Sequence, residues 1–150
     1  MDSMNDKELD NVFSNLQQYL MGEASEAFSD KVMEYAYDPV NVGEIKNPDV
    51  RASVKGDCGD AYTMFLKIKG QTIDEIRFLV DGCGASLACG CAITELARGI
   101  TPYEAGKITP QAVIQFLDGL PASHLHCAVL AVQTLQKALD DLNKKSNHKK

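Results

Sequence analysis

The sequence predicts an α+β fold: a small three-stranded antiparallel sheet packed against helices, with a long C-terminal helix and an extra N-terminal amphipathic helix. Two observations carry this reading. Apolar residues alternate with polar ones through the middle third, the period of half-buried strands, and recur every three to four positions toward both ends, the period of amphipathic helices. The strands and the helices are also segregated along the chain, the arrangement expected of an α+β sandwich.

Each element has its own signal. Leu9, Val12, Phe13, Leu16, Tyr19 and Leu20 fall at helical spacing, so a helix is expected over Lys7 to Leu20, broken by Gly22 to Ser25. A second short helix, about Ser29 to Tyr35, is stopped by Asp38-Pro39, because the residue before proline is pushed out of the α region. Asn41 to Asp49 reads as a loop punctuated by Gly43 and Pro48. Val50, Ala52 and Val54 then alternate with Arg51, Ser53 and Lys55; Tyr62, Met64, Leu66 and Ile68 do the same, and Gly70-Gln71 turns the chain. Ile76, Phe78 and Val80 complete a meander with one covered face. An apolar run from Gly84 to about Arg98 begins the helical third. Thr101-Pro102-Tyr103-Glu104 is a capping-box start with proline at the first helical position, and Thr109-Pro110 repeats the signal. From about Ser123, residues Ala128, Val132, Leu135, Leu139 and Leu142 mark the long final helix.

The organisation expected is an N-terminal helical extension (residues 1–22), one domain (23–143) and a basic, frayed tail (144–150) carrying Lys144, Lys145, Lys149 and Lys150. A chain of 150 residues, 45% of them hydrophobic, is long enough to bury its own core and needs no disulfide staples. Its net charge of −6 with scattered acidic residues argues against nucleic acid. No stretch approaches the ~18 apolar residues of a membrane span. The acidic start, with Asp2, Asp6, Glu8 and Asp10, has the wrong sign for a secretory or transit leader, so a cytoplasmic location is expected, where thiols stay reduced. Five cysteines then point to metal or thiol chemistry or to plain core thiols.

Three of them sit at structural junctions: Cys58 in Gly56-Asp57-Cys58-Gly59-Asp60, Cys83 in Gly82-Cys83-Gly84, and Cys127 after His126 at the start of the last helix. Neighbouring glycines let backbone amides approach a sulfur closely. A helix N-terminus lowers a thiol pKa, so Cys83 and Cys127 are both expected to be rich in thiolate, the soft metal ligand and sulfur nucleophile. Asp60 and His126 add the other common ligand types. With no CxxC pair, spacing alone leaves metal site and core thiols as equal readings.

In addition, Tyr37-Asp38-Pro39-Val40-Asn41-Val42-Gly43, Cys58-Gly59-Asp60, Gly82-Cys83-Gly84 and His126-Cys127 occur in the order found in the IscU/NifU-type iron–sulfur cluster scaffolds, which the chain resembles from about Phe28 to Leu142. The resemblance implies a scaffold rather than an enzyme. It would accept sulfur from a cysteine desulfurase, assemble a labile 2Fe–2S cluster (or a 4Fe–4S form) and hand it to apo-proteins. It further implies Cys58, Cys83 and Cys127 as cluster ligands, Asp60 as the residue that tunes release, His126 as an alternative ligand, and Cys127 as the main persulfide acceptor. Zn²⁺ in the same thiolates is the alternative, as in the zinc-binding SufU branch, which usually has arginine where His126 stands.

Two departures from the pattern stand out. The stretch Leu120-Pro121-Ala122-Ser123-His124-Leu125 keeps Leu-Pro but loses a second proline and a lysine, which argues against release driven by a dedicated Hsp70-type chaperone. Cys89 and Cys91 replace small polar residues. At 100° per residue they are about 200° apart, Cys89 on the face of Ala85, Ala92, Ile93 and Leu96, Cys91 with Leu87, Thr94 and Arg98. Cys89 is expected to be a buried hydrophobe. Cys91, some 12 Å beyond Cys83 along a regular helix, becomes a fourth sulfur ligand only if the helix unwinds locally. His124 is expected to face solvent and His148 to lie in the tail. The N-terminal helix must bury its stripe on its own domain or on a second copy of the chain, giving a homodimer.

Overall fold

The computed structural model describes residues 28–57 and 59–148. The N-terminal extension, with the dimer expected through it, and Cys58 lie outside the described residues.

Helix α1 (Asp30–Tyr37) is capped by Ser29, whose hydroxyl accepts the Val32 amide at 3.0 Å. It ends where the sequence places its stop, at Asp38 before Pro39. Strands β1 (Val50–Lys55), β2 (Ala61–Lys69) and β3 (Thr72–Asp81) form an antiparallel meander in the order β1-β2-β3. Gly70 opens the β2–β3 hairpin at φ +65°, and Gln71 follows at negative φ, so the two-residue turn has the handedness that matches strand twist. A register shift at Lys67/Ile68 bends the end of β2.

Helix α2 (Gly84–Ala97) is buried on nearly every side, which its small residues permit: Ala85, Ala88, Cys89, Gly90 and Ala92 let α1, β3 and the last helix approach its backbone. Two short helices follow, α3 (Pro102–Ala105) and α4 (Pro110–Phe116), capped by Thr101 and Thr109 with proline in the first turn, as their sequences predict. A single 3-10 turn, Ala122–His124, leads into α5 (Leu125–His148), which lies across β1 and β2. The basic stretch expected to fray from residue 144 instead stays helical to His148, and Lys145 donates to the Asp49 carbonyl at 2.9 Å.

The core lies between one face of the sheet and the helices, with Tyr62, Met64, Leu66, Ile73, Ile76 and Phe78 supplied by the strands. The loop after α1 is tied into it. Asn41 sits at φ +63°, where its amide donates to Thr94 Oγ1 (3.0 Å) and Glu95 Oε2 (2.8 Å) and its carbonyl oxygen accepts from Arg98 (2.8 Å). The backbone pairs with β3 on either side, Phe78 N donating to Asn41 O and Gly43 N to Phe78 O. The Tyr37–Gly43 motif is therefore a strap that holds α1, α2 and β3 together. No helix among the described residues is long and apolar enough to cross a membrane.

Candidate metal centre

Three distant segments deliver the site. Asp60 ends the β1–β2 loop, which closes through Gly56 N donating to Asp60 O at 2.8 Å. Cys83 is the N-cap of α2, and Cys127 and His126 stand in the first turn of α5. One nitrogen or oxygen of Asp60 and of His126 and the Cys127 sulfur all lie within 4.8 Å of one another. Cys83, His124 and Cys127 form a second such group, so Cys127 is common to both. The His126 Nε2 is 3.7 Å from the Cys127 sulfur. Cys83 and His126 are exposed and Asp60 and His124 half-buried, whereas Cys127 is fully buried.

The two sulfurs share a proton unequally. The Cys127 hydrogen bond draws the Cys83 thiol down to about 4 against an opposing effect of burial, with help from the amides of Ser86 and Ala85 at the start of α2. The same bond, then burial, pushes Cys127 up. The expectation of a thiolate-rich Cys127 thus does not hold: its helix N-terminus is outweighed by a neighbouring thiolate and by the loss of solvent.

Ser86 is the residue the sequence reading missed. It lies three positions after Cys83, a spacing that points it back at the N-cap, and its side chain is fully buried. Its hydroxyl donates to the Asp60 carboxylate and stands 3.4 Å from the Cys127 sulfur and 3.6 Å from Cys83. A hydroxyl has one proton and a carboxylate can only accept, so that proton belongs to Asp60. Gly82 makes room for this arrangement: a Cβ there would meet Asp60 Cγ at 2.9 Å and Ser86 Oγ at 3.0 Å. Ser86→Ala is expected to lower the unfolding free energy by about 1.5–3 kcal/mol, the usual worth of a hydrogen bond to a charged group. Urea titrations should show that loss largely vanish in an Asp60→Ala background. If it persists in full, Ser86 acts through packing alone.

His124 differs from expectation as well. It closes the 3-10 turn, its amide donating to Pro121 O at 2.9 Å, and it is half-buried rather than out in solvent. The ring packs on Phe28 at 5.1 Å and on His126 at 6.3 Å. Its Nδ1 is buried with no hydrogen-bond partner among the described residues. A buried nitrogen left so costs about 1–3 kcal/mol.

The other two cysteines lie apart from this group. Cys89 is fully buried, and burial pushes its thiol up, as a core hydrophobe should behave. Cys91 is buried beneath the Tyr37–Gly43 strap, its sulfur accepting from Val40 N at 3.4 Å and donating to Val40 O at 3.5 Å. Burial first of all raises it to about 11. Helix α2 stays regular between Cys83 and Cys91, so the local unwinding that would bring Cys91 to the site is absent.

Residues 27–149 match the family described as NifU-like N terminal domain. The chain belongs to that family. Two proteins of Archaeoglobus fulgidus, each named iron–sulfur cluster assembly scaffold protein IscU, are 40% identical over 120 residues, 79% of this chain and 78% of theirs. A nitrogen fixation protein NifU of Trichormus azollae is 34% identical over 122 residues, 75% of this chain but only 40% of that longer protein. Among solved structures, a crystal structure described as a putative iron–sulfur cluster assembly scaffold for the SUF system of Fervidobacterium islandicum superposes with a TM-score of 0.63 at 25% identity. It covers 75% of this chain and 96% of the other. The three-stranded sheet, the order of helices and the long C-terminal helix are those of this family.

Proposed function

We propose that this protein is a scaffold on which a labile iron–sulfur cluster, 2Fe–2S, is assembled from iron and persulfide sulfur and then passed to apo-proteins. The observation that carries the reading is a pair of donor groups, Asp60 with His126 and Cys127, and Cys83 with His124 and Cys127, drawn from three separate segments and sharing Cys127 at one partly open spot. Thiolate, imidazole and carboxylate together suit iron and zinc, and a set that mixes hard oxygen with soft sulfur holds its cargo less firmly than four sulfurs. Cys58, which the resemblance implies as a third sulfur ligand, belongs to the proposal on that ground alone. The names of the Archaeoglobus relatives support the same reading.

Sulfur would arrive as the persulfide of a cysteine desulfurase. A thiolate attacks its outer sulfur, forming a new S–S bond and releasing the desulfurase thiolate. Cys83, exposed and held as thiolate, is the better placed to receive it first, and Cys127, buried beside it, receives it from within the pair. The zinc-held sulfur acceptor is the second reading, favoured by the two sulfurs and one imidazole that meet at Cys83, His124 and Cys127.

Anaerobic incubation with iron, cysteine and a desulfurase separates the two. A coloured cluster that fades as an apo-recipient acquires it supports the scaffold. A colourless protein that keeps one zinc and forms no cluster under these conditions overturns it; zinc as isolated does not, because such sites take zinc adventitiously. Asp60→Ala removes the hard oxygen donor, and its cluster should persist about tenfold longer or more, with slower transfer, the scale on which groups around metal ligands act. Decay at the wild-type rate would leave Asp60 without a tuning role.

A further inference from the structure

We propose that His124 is a metal ligand, completing with Cys83 and Cys127 a donor set of two sulfurs and one imidazole for a single divalent cation of borderline softness, zinc or ferrous iron. The inference deepens the scaffold reading and rests on its assignment of metal chemistry to this cleft.

Three observations converge on it. The donor atoms of Cys83, His124 and Cys127 lie within 4.8 Å of one another, close enough for small side-chain adjustments to gather them around one ion. The His124 Nδ1 is buried and has no partner among the described residues, so one of its ring nitrogens has a lone pair or proton that none of them uses. The ring is held: the 3-10 turn fixes its backbone, and Phe28 and His126 flank it. Such orientation of a ligand by its surroundings is what keeps a metal histidine in place.

This set differs in kind from Asp60, His126 and Cys127, which offers one sulfur, one nitrogen and one oxygen. Two sulfurs and a nitrogen suit a borderline cation better, and three such donors leave one tetrahedral place for a further ligand. Because Cys127 belongs to both sets, one ion fills one set at the expense of the other. Asp60 is already engaged by the Ser86 hydroxyl, a further reason for a lone ion to prefer the His124 side.

The test is zinc alone, bound to the full chain under reducing conditions and measured by competition with a chromophoric chelator. His124→Gln, which keeps the size of the side chain, should weaken binding by more than about tenfold, since even partners of metal ligands are worth 10–100-fold. His126→Gln should weaken it less. In wild-type protein labelled with nitrogen-15 histidine, zinc should move a ring nitrogen of His124 to the metal-bound position, a readout independent of how either variant folds. Zinc affinity unchanged in His124→Gln, or a His124 ring that ignores zinc, overturns this inference and leaves the scaffold reading standing. A wild-type chain that binds no zinc and no iron overturns both.

Discussion

Cys127→Ser is expected to abolish cluster assembly, lowering iron and sulfide content more than about tenfold after anaerobic reconstitution. Cys127 is the only residue common to the two donor groups, so its loss dismantles both at once. Cys83→Ser breaks only one, leaving Asp60, His126 and Cys127 together, and should retain part of the iron. The fold should tolerate the change. Serine is smaller than cysteine, and the Ser86 hydroxyl, 3.4 Å from the Cys127 sulfur, is at hand to partner it. Circular dichroism checks this point. Wild-type iron and sulfide in Cys127→Ser would mean that the cluster is held elsewhere. The same variant tests the order of sulfur entry: treated with a desulfurase and cysteine, it should still gain one sulfur on Cys83, seen by mass spectrometry of the peptide. If Cys83→Ser gains sulfur and Cys127→Ser does not, Cys127 is the first acceptor after all.

Gly90→Ala should unfold the protein more readily despite alanine being the better helix former by about 1 kcal/mol. A Cβ at Gly90 would stand 2.2 Å from Cε2 of Phe78 and 2.6 Å from two further ring carbons. Phe78 is fully buried and its backbone is pinned on one edge by the Tyr37–Gly43 strap, so the ring has nowhere to go. Overpacking of this kind costs typically 1–3 kcal/mol and more when the neighbour cannot yield. A net loss of about 3 kcal/mol would lower the thermal midpoint by roughly 10 °C. Because α2 carries Cys83 and Ser86, pushing it off β3 also spreads the site, so metal affinity should fall along with stability. A midpoint equal to or above that of the wild type would show that the helix and sheet are less tightly seated than their spacing implies.

Much of the fold was legible in the chain because its signals are local. The stop at Asp38-Pro39, the caps at Thr101 and Thr109, the two-residue turn at Gly70-Gln71 and the alternation of β2 are each decided within a few residues. Cys89 could be read as core from its neighbours on one helix face. The candidate ligands Asp60, Cys83, His126 and Cys127 stood out by residue type and adjacent glycines; the structure puts Asp60 and His126 in one donor group with Cys127, and Cys83 in another with His124 and Cys127.

What the sequence by itself determined, then, was the set of elements and which side chains could carry metal chemistry. Tertiary structure decided how those side chains combine. Ser86 became a hub because α2 and the β1–β2 loop meet 26 residues apart in the chain, and α2 and α5 meet 41 residues apart. His124 is half-buried because its ring packs on Phe28 and beside His126. Cys127 is pushed up because its hydrogen bond to Cys83, and then burial, act against its thiolate. These outcomes depend on the distances between packed elements, set by contacts such as Gly90 on Phe78, and no local pattern of residues encodes such distances.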